Sequence, residues 1–157
     1  MFALACRHDE ALSAHAEVLY GLAKQSTQAT LLCPSIETAQ SLLMQVIYEI
    51  GYPNTALTAV STLGAAITLV NAFRLMNIDT DTFRQPVQWV QKPANWVVEE
   101  SYRRTALMTF ALDQWLTTIT ERASGMAPIS EVKLVLPVSD EIWFAMVGST
   151  AIIMQDN

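Results

Sequence analysis

The sequence predicts an all-α protein: a single compact bundle of about five to six helices with one long irregular connection near residues 77–95. Three observations carry this. Apolar residues recur three and four positions apart through most of the chain, as in helices with one buried face. Helix-starting and helix-ending residues, such as Ser35, Gly51 and Ser124-Gly125, punctuate those stretches. Extended character is confined to the short run Lys133-Leu134-Val135-Leu136-Pro137.

Taken in order, a first helix is expected from Asp9 or Glu10 to about Gln25, with acidic residues complementing the dipole in its first turn. Leu12, His15, Leu19, Leu22 and Ala23 form its apolar stripe. A polar loop follows from Gln25 to Thr30. Pro34-Ser35 opens a second helix with Ser35 as N-cap, and Ala39, Leu42, Leu43, Val46, Ile47 and Ile50 mark its inner face. Gly51-Tyr52-Pro53-Asn54 stops that helix and starts a third, Thr55 to Met76. Its Gly64-Ala65-Ala66 stretch is small enough for close backbone approach. After the irregular connection, with Pro86, Pro93 and Trp89, the longest helix runs from Val97 to Arg122. Ser139-Asp140-Glu141 caps a last helix carrying Trp143, Phe144 and Val147. The 157 residues are read as one domain, with no internal repeat.

Composition narrows the function classes. The chain is 52% hydrophobic and 15% charged, against a usual charged share of about 25%. That apolar excess must line a cavity, meet a partner or pack a dry core. The net charge is −6, with nine scattered Lys and Arg, so direct contact with nucleic acid is not expected. Cys6 and Cys33 are too few for a disulfide scaffold or a zinc site, and are read as reduced thiols. The early Arg7-His8-Asp9-Glu10 argues against a signal peptide, and an intracellular location, nucleus or cytoplasm, is expected. From Ile50 to Phe73 no residue is charged, about the length of a membrane span. Asn54, Thr55, Thr58, Ser61, Thr62, Thr68 and Asn71, with Pro53 and Gly64, make a helix buried among others the better reading.

Two groups of residues, in order, resemble a known family. The first is Ser35-Ile36-Glu37-Thr38-Ala39-Gln40-Ser41-Leu42-Leu43-Met44, then Gly64-Ala65-Ala66 and Leu75. The second is Glu99-Glu100-Ser101-Tyr102-Arg103-Arg104-Thr105-Ala106-Leu107, then Phe110-Ala111-Leu112-Asp113 and Gly125-Met126-Ala127-Pro128-Ile129-Ser130. It closes with Val135-Leu136-Pro137 and Asp140-Glu141-Ile142-Trp143. From Ala11 to Trp143 this set is similar to the regulatory middle region of fungal zinc-cluster transcription factors. The resemblance implies an all-helical module that binds a partner chain or a small apolar molecule and modulates transcription. The departures are specific. The family's Asp-Arg pair reads Asp113-Gln114, its Gly-Arg-Pro turn reads Gly125-Met126-Ala127-Pro128, and its Leu-Gly-Leu reads Leu75-Met76-Asn77. The six-cysteine zinc cluster that reads DNA is missing, and family regulatory regions are commonly longer. The chain is thus either a fragment of such a region or a stand-alone protein.

Candidate chemistry sits mainly on the longest helix. Glu99 and Arg103, and Glu100 and Arg104, are spaced i,i+4 with the acid first, the favourable order for a helical ion pair. Asp113 lies on the inward stripe, where a carboxylate needs a partner or a raised pKa. It is read as a bonded core aspartate or as a polar anchor in a ligand cavity. Asp113, Arg103, Arg104 and Tyr102 are the catalytic candidates, and Trp115, Phe110, Trp96 and Trp143 the ligand-binding ones. His8 and His15, about 10.5 Å apart on a continuous helix, cannot share an ion whose bonds are about 2.1 Å. Neither a metal site nor a cofactor is expected.

Two functions remain open. The first is a regulatory or effector-sensing domain that binds a hydrophobic small molecule or a protein partner, with room for a homodimer, and with neither nucleic acid nor membrane as direct partner. The second is a stand-alone, cofactor-free enzyme of secondary metabolism on the same fold. It would cyclise or isomerise a hydrophobic metabolite, for example by a pericyclic reaction, through orientation and one hydrogen-bonded carbonyl.

Overall fold

The computed structural model describes residues 2–7, 9, 12–52, 55–77, 93–126, 132, 134 and 136–144. Five helices lie among them: α1 (Phe2–Arg7), α2 (Ser13–Thr30), α3 (Ile36–Ile50), α4 (Ala56–Ala72) and α5 (Pro93–Thr120). A 3-10 turn, Leu75–Asn77, follows α4, and residues 140–144 are helical. No strand occurs among the described residues, and the fold is all-α as the periodicity predicts.

The chain divides into two compact units. One takes Met1–Phe73 and Met108–Met126, the other Arg74–Leu107 and Ala127–Asn157. In the first unit α2 packs on α1 and α3, and α3 lies along α4. Ser35 caps α3 as expected. Its Oγ accepts the Thr38 N–H while Thr38 Oγ1 accepts the Ser35 N–H, which satisfies two donors reciprocally. Ala39, Val46, Ala59, Leu63, Ala66 and Val70 are fully buried and form the α3–α4 seam. The alanines permit close approach. Gly64 does not contribute, because a Cβ there would meet nothing within 4 Å.

Several boundaries differ from the sequence reading. A short helix not expected from the sequence, α1, precedes the one expected from Asp9 or Glu10; that one, α2, begins at Ser13, and Gln25–Thr30 is its last turns, not a loop. Thr27 explains this: it is buried, bonds the Ala23 carbonyl at 2.9 Å and accepts from Gln45 at 2.6 Å. The expected stripe of α2 also faces the wrong way, since Leu12, His15, Leu22 and Ala23 are exposed while Ala16 and Thr27 are buried. The inner face was chosen by polar pairing instead. Tyr20 donates to the buried Glu49 carboxylate of α3, which also accepts from Thr62 of α4 at 3.1 Å. Tyr20 stacks on Tyr48, centroids 4.4 Å apart. Burial, then donation to Glu49, pushes the Tyr20 hydroxyl pKa up.

The charge-free stretch ends α3, turns and becomes α4. No described helix is long and apolar enough to cross a membrane. Gly51 caps α3 at φ −78°, so its conformational freedom goes unused. Among the described residues the left-handed positions are Arg74 (φ 54°) after α4 and Glu121 (φ 52°) after α5. α5 begins at Pro93 rather than Val97, because proline is tolerated in a first turn where its missing N–H has no partner to lose. The rest of the expected irregular connection, 78–92 with Trp89, lies outside the described residues, as do His8, Pro53, Asn54, 127–130 and Val147.

Candidate functional site

The buried stripe of α5 is unusually polar. Trp96, Glu100, Arg103, Ala106, Thr109, Asp113 and Leu116 recur at three- and four-residue spacing and all are buried. A charge held inside must find partners. The helix finds them in two places, one in each unit.

In the first unit Asp113 is fully buried and collects four bonds from the turn after α5. Arg122 Nη2 reaches Oδ1 at 2.6 Å and the Gly125 N–H reaches it at 3.3 Å. Ser124 Oγ donates to Oδ2 at 2.5 Å and the Met126 N–H at 3.1 Å. Glu121, left-handed, is what reverses the chain so that these groups come back to the carboxylate. A Cβ at Gly125 would sit 3.1 Å from Ile67 Cδ1 and 3.7 Å from Asp113 Oδ1, so glycine fits this close approach. Burial pushes the Asp113 pKa up, but the Ser124, Arg122, Gly125 and Met126 bonds outweigh it and hold the carboxyl below its ordinary value. Each oxygen accepts two bonds, so the group acts as the core of a turn.

In the second unit Glu100 is fully buried and bonds Arg103 (2.5 Å), Arg104 Nε (3.1 Å) and the Val138 N–H (3.0 Å). Arg104 extends across to the segment 136–144: Nη1 donates to Asp140 (2.8 Å) and Nη2 to the Val138 carbonyl (2.7 Å). Its guanidinium lies 4.9 Å from the centroid of the Trp143 ring, and Trp143 meets Trp96 at 6.2 Å. Burial opposes the Arg104 charge, yet Asp140 and Glu100 together raise its pKa. The Glu100–Arg104 pair forms as the spacing predicts. Arg103 turns to Glu100 rather than Glu99, because Glu100 is the acid on the inner stripe.

The sequence-derived candidates therefore fall in two groups. Trp96, Arg103, Arg104 and Trp143 belong to the second unit's cluster; Tyr102 is half-buried on the same helix and takes no part in those bonds. Phe110, Asp113 and Trp115 belong to the first unit, with Phe110 half-buried and Trp115 45% exposed. The bonds that Arg122, Ser124 and Val138 make to the Asp113 and Glu100 carboxylates escaped the sequence reading. Their roles depend on chain reversals that no local residue pattern signals.

A cleft of about 380 Å³ lies elsewhere in the first unit. Ala3 of α1, Tyr20, Ser26 and Thr27 of α2, and Gln40, Met44, Gln45 and Tyr48 of α3 are among its walls. None of the sequence-derived candidates lines it. Gln45 and Thr27 are each 6% exposed. The Gln45 amide nitrogen is committed to Thr27, which leaves its carbonyl oxygen as an acceptor in the wall. Among the described residues Glu37 brings the lining's charged side chain. Bonding to Ser35 holds its carboxyl below the ordinary range, keeping it ionised at neutral pH. A signal for this wall was present: Gln45 is a polar interruption on the apolar face of α3. Among the described residues no group of three or more His, Cys, Asp or Glu is placed to hold a metal ion.

Residues that carry the family resemblance are thus bonded to one another: Arg104 to Glu100 and Asp140, Asp113 to Gly125 and Met126. Motif residues used in this way mark a shared architecture. No curated protein and no solved structure matches the chain. The family model described as fungal specific transcription factor domain matches residues 3–156. With that match spanning nearly its whole length, and with its motif residues making the fold's two polar latches, the chain belongs to the fungal specific transcription factor domain family.

Proposed function

We propose that the chain is an effector-sensing regulatory domain in which a small molecule occupies the α2–α3 cleft and alters how the domain acts on transcription, DNA being read by another protein or segment. The observation that carries this is the cleft. Its volume of about 380 Å³ falls within the roughly 300–1,000 Å³ of small-molecule sites, and two of its polar side chains, Thr27 and Gln45, are themselves buried. Ala3, Ala23, Met44 and the tyrosine rings offer apolar wall, Gln40 and Gln45 offer amides, and Glu37 repels anions. The ligand is therefore a compact amphipathic molecule, neutral or cationic. A nuclear or cytoplasmic location accords with this role.

The alternative, a cofactor-free cyclase or isomerase, needs polar groups facing a substrate. Asp113, Arg103 and Arg104 are engaged with other protein groups, which favours the regulatory reading. Hexylamine, hexanol and hexanoate share one stem and differ in head group, so titrating each into isotope-labelled protein separates the cases by NMR. The amine and the alcohol should shift the amide resonances of Tyr20, Thr27, Gln45 and Tyr48, and Gln45→Leu should weaken both. Binding of hexanoate alone, or no shift from any probe, would overturn the proposal.

A further inference from the structure

Among the described residues three acidic side chains are buried: Glu49, 2% exposed, and the fully buried Glu100 and Asp113. Two of them are matched by cations, Glu100 by Arg103 and Arg104, Asp113 by Arg122. Glu49 is not. Its Oε1 accepts from two hydroxyls, those of Tyr20 on α2 and Thr62 on α4. Its Oε2 is buried and has no hydrogen-bond partner among the described residues. Each oxygen taken out of water and left unpaired costs free energy. The site therefore lacks a donor, and the other two buried acids show that the fitting donor is a cation. The lysine on the same helix as Tyr20 is used otherwise: Lys24 Nζ lies over the Tyr20 ring, 5.8 Å from its centroid.

The way in for such a donor is the α2–α3 cleft. Tyr20, which covers Glu49 with its hydroxyl, is part of the cleft wall, and so is Tyr48, the residue before Glu49. Tyr20 is half-buried, so its ring can turn aside without opening the core. Gln45, also in the wall, lies one helical turn before Glu49. Side chains at that spacing have Cβ atoms about 5–6 Å apart. An ammonium that bonds each acceptor at about 2.8 Å spans the gap, and the Gln45 carbonyl oxygen is uncommitted. None of the described lining residues is basic, and Glu37 adds a negative charge that draws cations in. We propose that the ligand is a primary amine whose ammonium displaces the Tyr20 hydroxyl and bonds Glu49 and the Gln45 carbonyl. Its apolar stem lies against Met44 and the Tyr48 ring. This ligand class rests on the cleft being the effector site, and narrows the ligand to one with three N–H donors on its head.

Calorimetric titration of the full chain at neutral pH with hexylamine, hexanol and hexyltrimethylammonium keeps the stem and varies the head. Hexylamine should bind about tenfold more tightly than either of the others, since only it brings both charge and N–H donors to Glu49. Glu49→Gln should bring hexylamine down to the level of hexanol. Tyr20→Phe deletes the donor that competes for Glu49 and should tighten hexylamine by about threefold. Because it keeps the ring and the carboxylate, it remains decisive even where Glu49→Gln does not fold. Hexylamine that binds no better than hexanol or the quaternary salt, or that weakens in Tyr20→Phe, overturns the amine assignment and leaves the cleft an effector site. No heat from any of the three overturns both.

Discussion

A carboxylate with no exposed surface is tolerated at residue 113 because four donors meet it, one cationic, one hydroxyl and two backbone N–H groups. Asp113→Asn removes the charge and sets an amide NH2 against some of those donors. The expected loss is about 3 kcal/mol, in the range for breaking a buried pair while leaving its partners in place, read from the urea midpoint with the slope unchanged. The pH dependence follows from the direction of the shift. The folded pKa of Asp113 lies below its ordinary value, so its stabilisation is complete above the ordinary carboxylate range, at about pH 5 and higher. It is lost as pH falls through the lower folded value. Midpoints measured from neutral to acid pH should drop more steeply for the wild type than for Asp113→Asn. Equal acid slopes would assign the effect to other groups. The inward position of Asp113 was legible from the stripe it sits on. Its partners were not, because glutamate gives no sign of the left-handed turn that Glu121 makes.

At the scale of elements, α3 was the most legible, since a serine followed three residues later by a side chain that can answer it is a local signal of a helix start. The inner face of α2 was not legible, because the apolar pattern competes with a polar one that only α3 reveals. Leu22 is 58% exposed while Thr27 is buried against Gln45. Helix interiors also contain glycines without a use. Around Gly21 in α2 and Gly64 in α4 nothing lies within 4 Å of an added Cβ, and neither adopts positive φ. Gly21→Ala and Gly64→Ala should each raise stability by roughly 0.5–1 kcal/mol through lower chain entropy and better helix propensity, a thermal melt deciding it. A loss at either position would mean that its backbone needs the glycine. Arg104 makes the opposite case. Its planar fork serves Glu100, Asp140 and the Val138 carbonyl at once, which a lysine head cannot. In Arg104→Lys, hydrogen exchange at the Trp143 amide, bonded to Ser139, should quicken about tenfold, the equivalent of ~1.4 kcal/mol. Unchanged exchange would show that Glu100 alone secures the segment.

For the whole molecule, composition announced an apolar excess and an acidic balance but not where either is placed. Periodicity assigns a face only when one face is apolar, and α5 has a polar buried stripe and an apolar outer strip, the reverse of the usual pattern. The acidic balance bears on the whole chain. With 15 acidic and nine basic residues, it should not retard a DNA duplex at about 0.15 M salt in a gel-shift experiment, because phosphate contacts need clustered cations. A retarded band would show that the basic residues gather on one face after all.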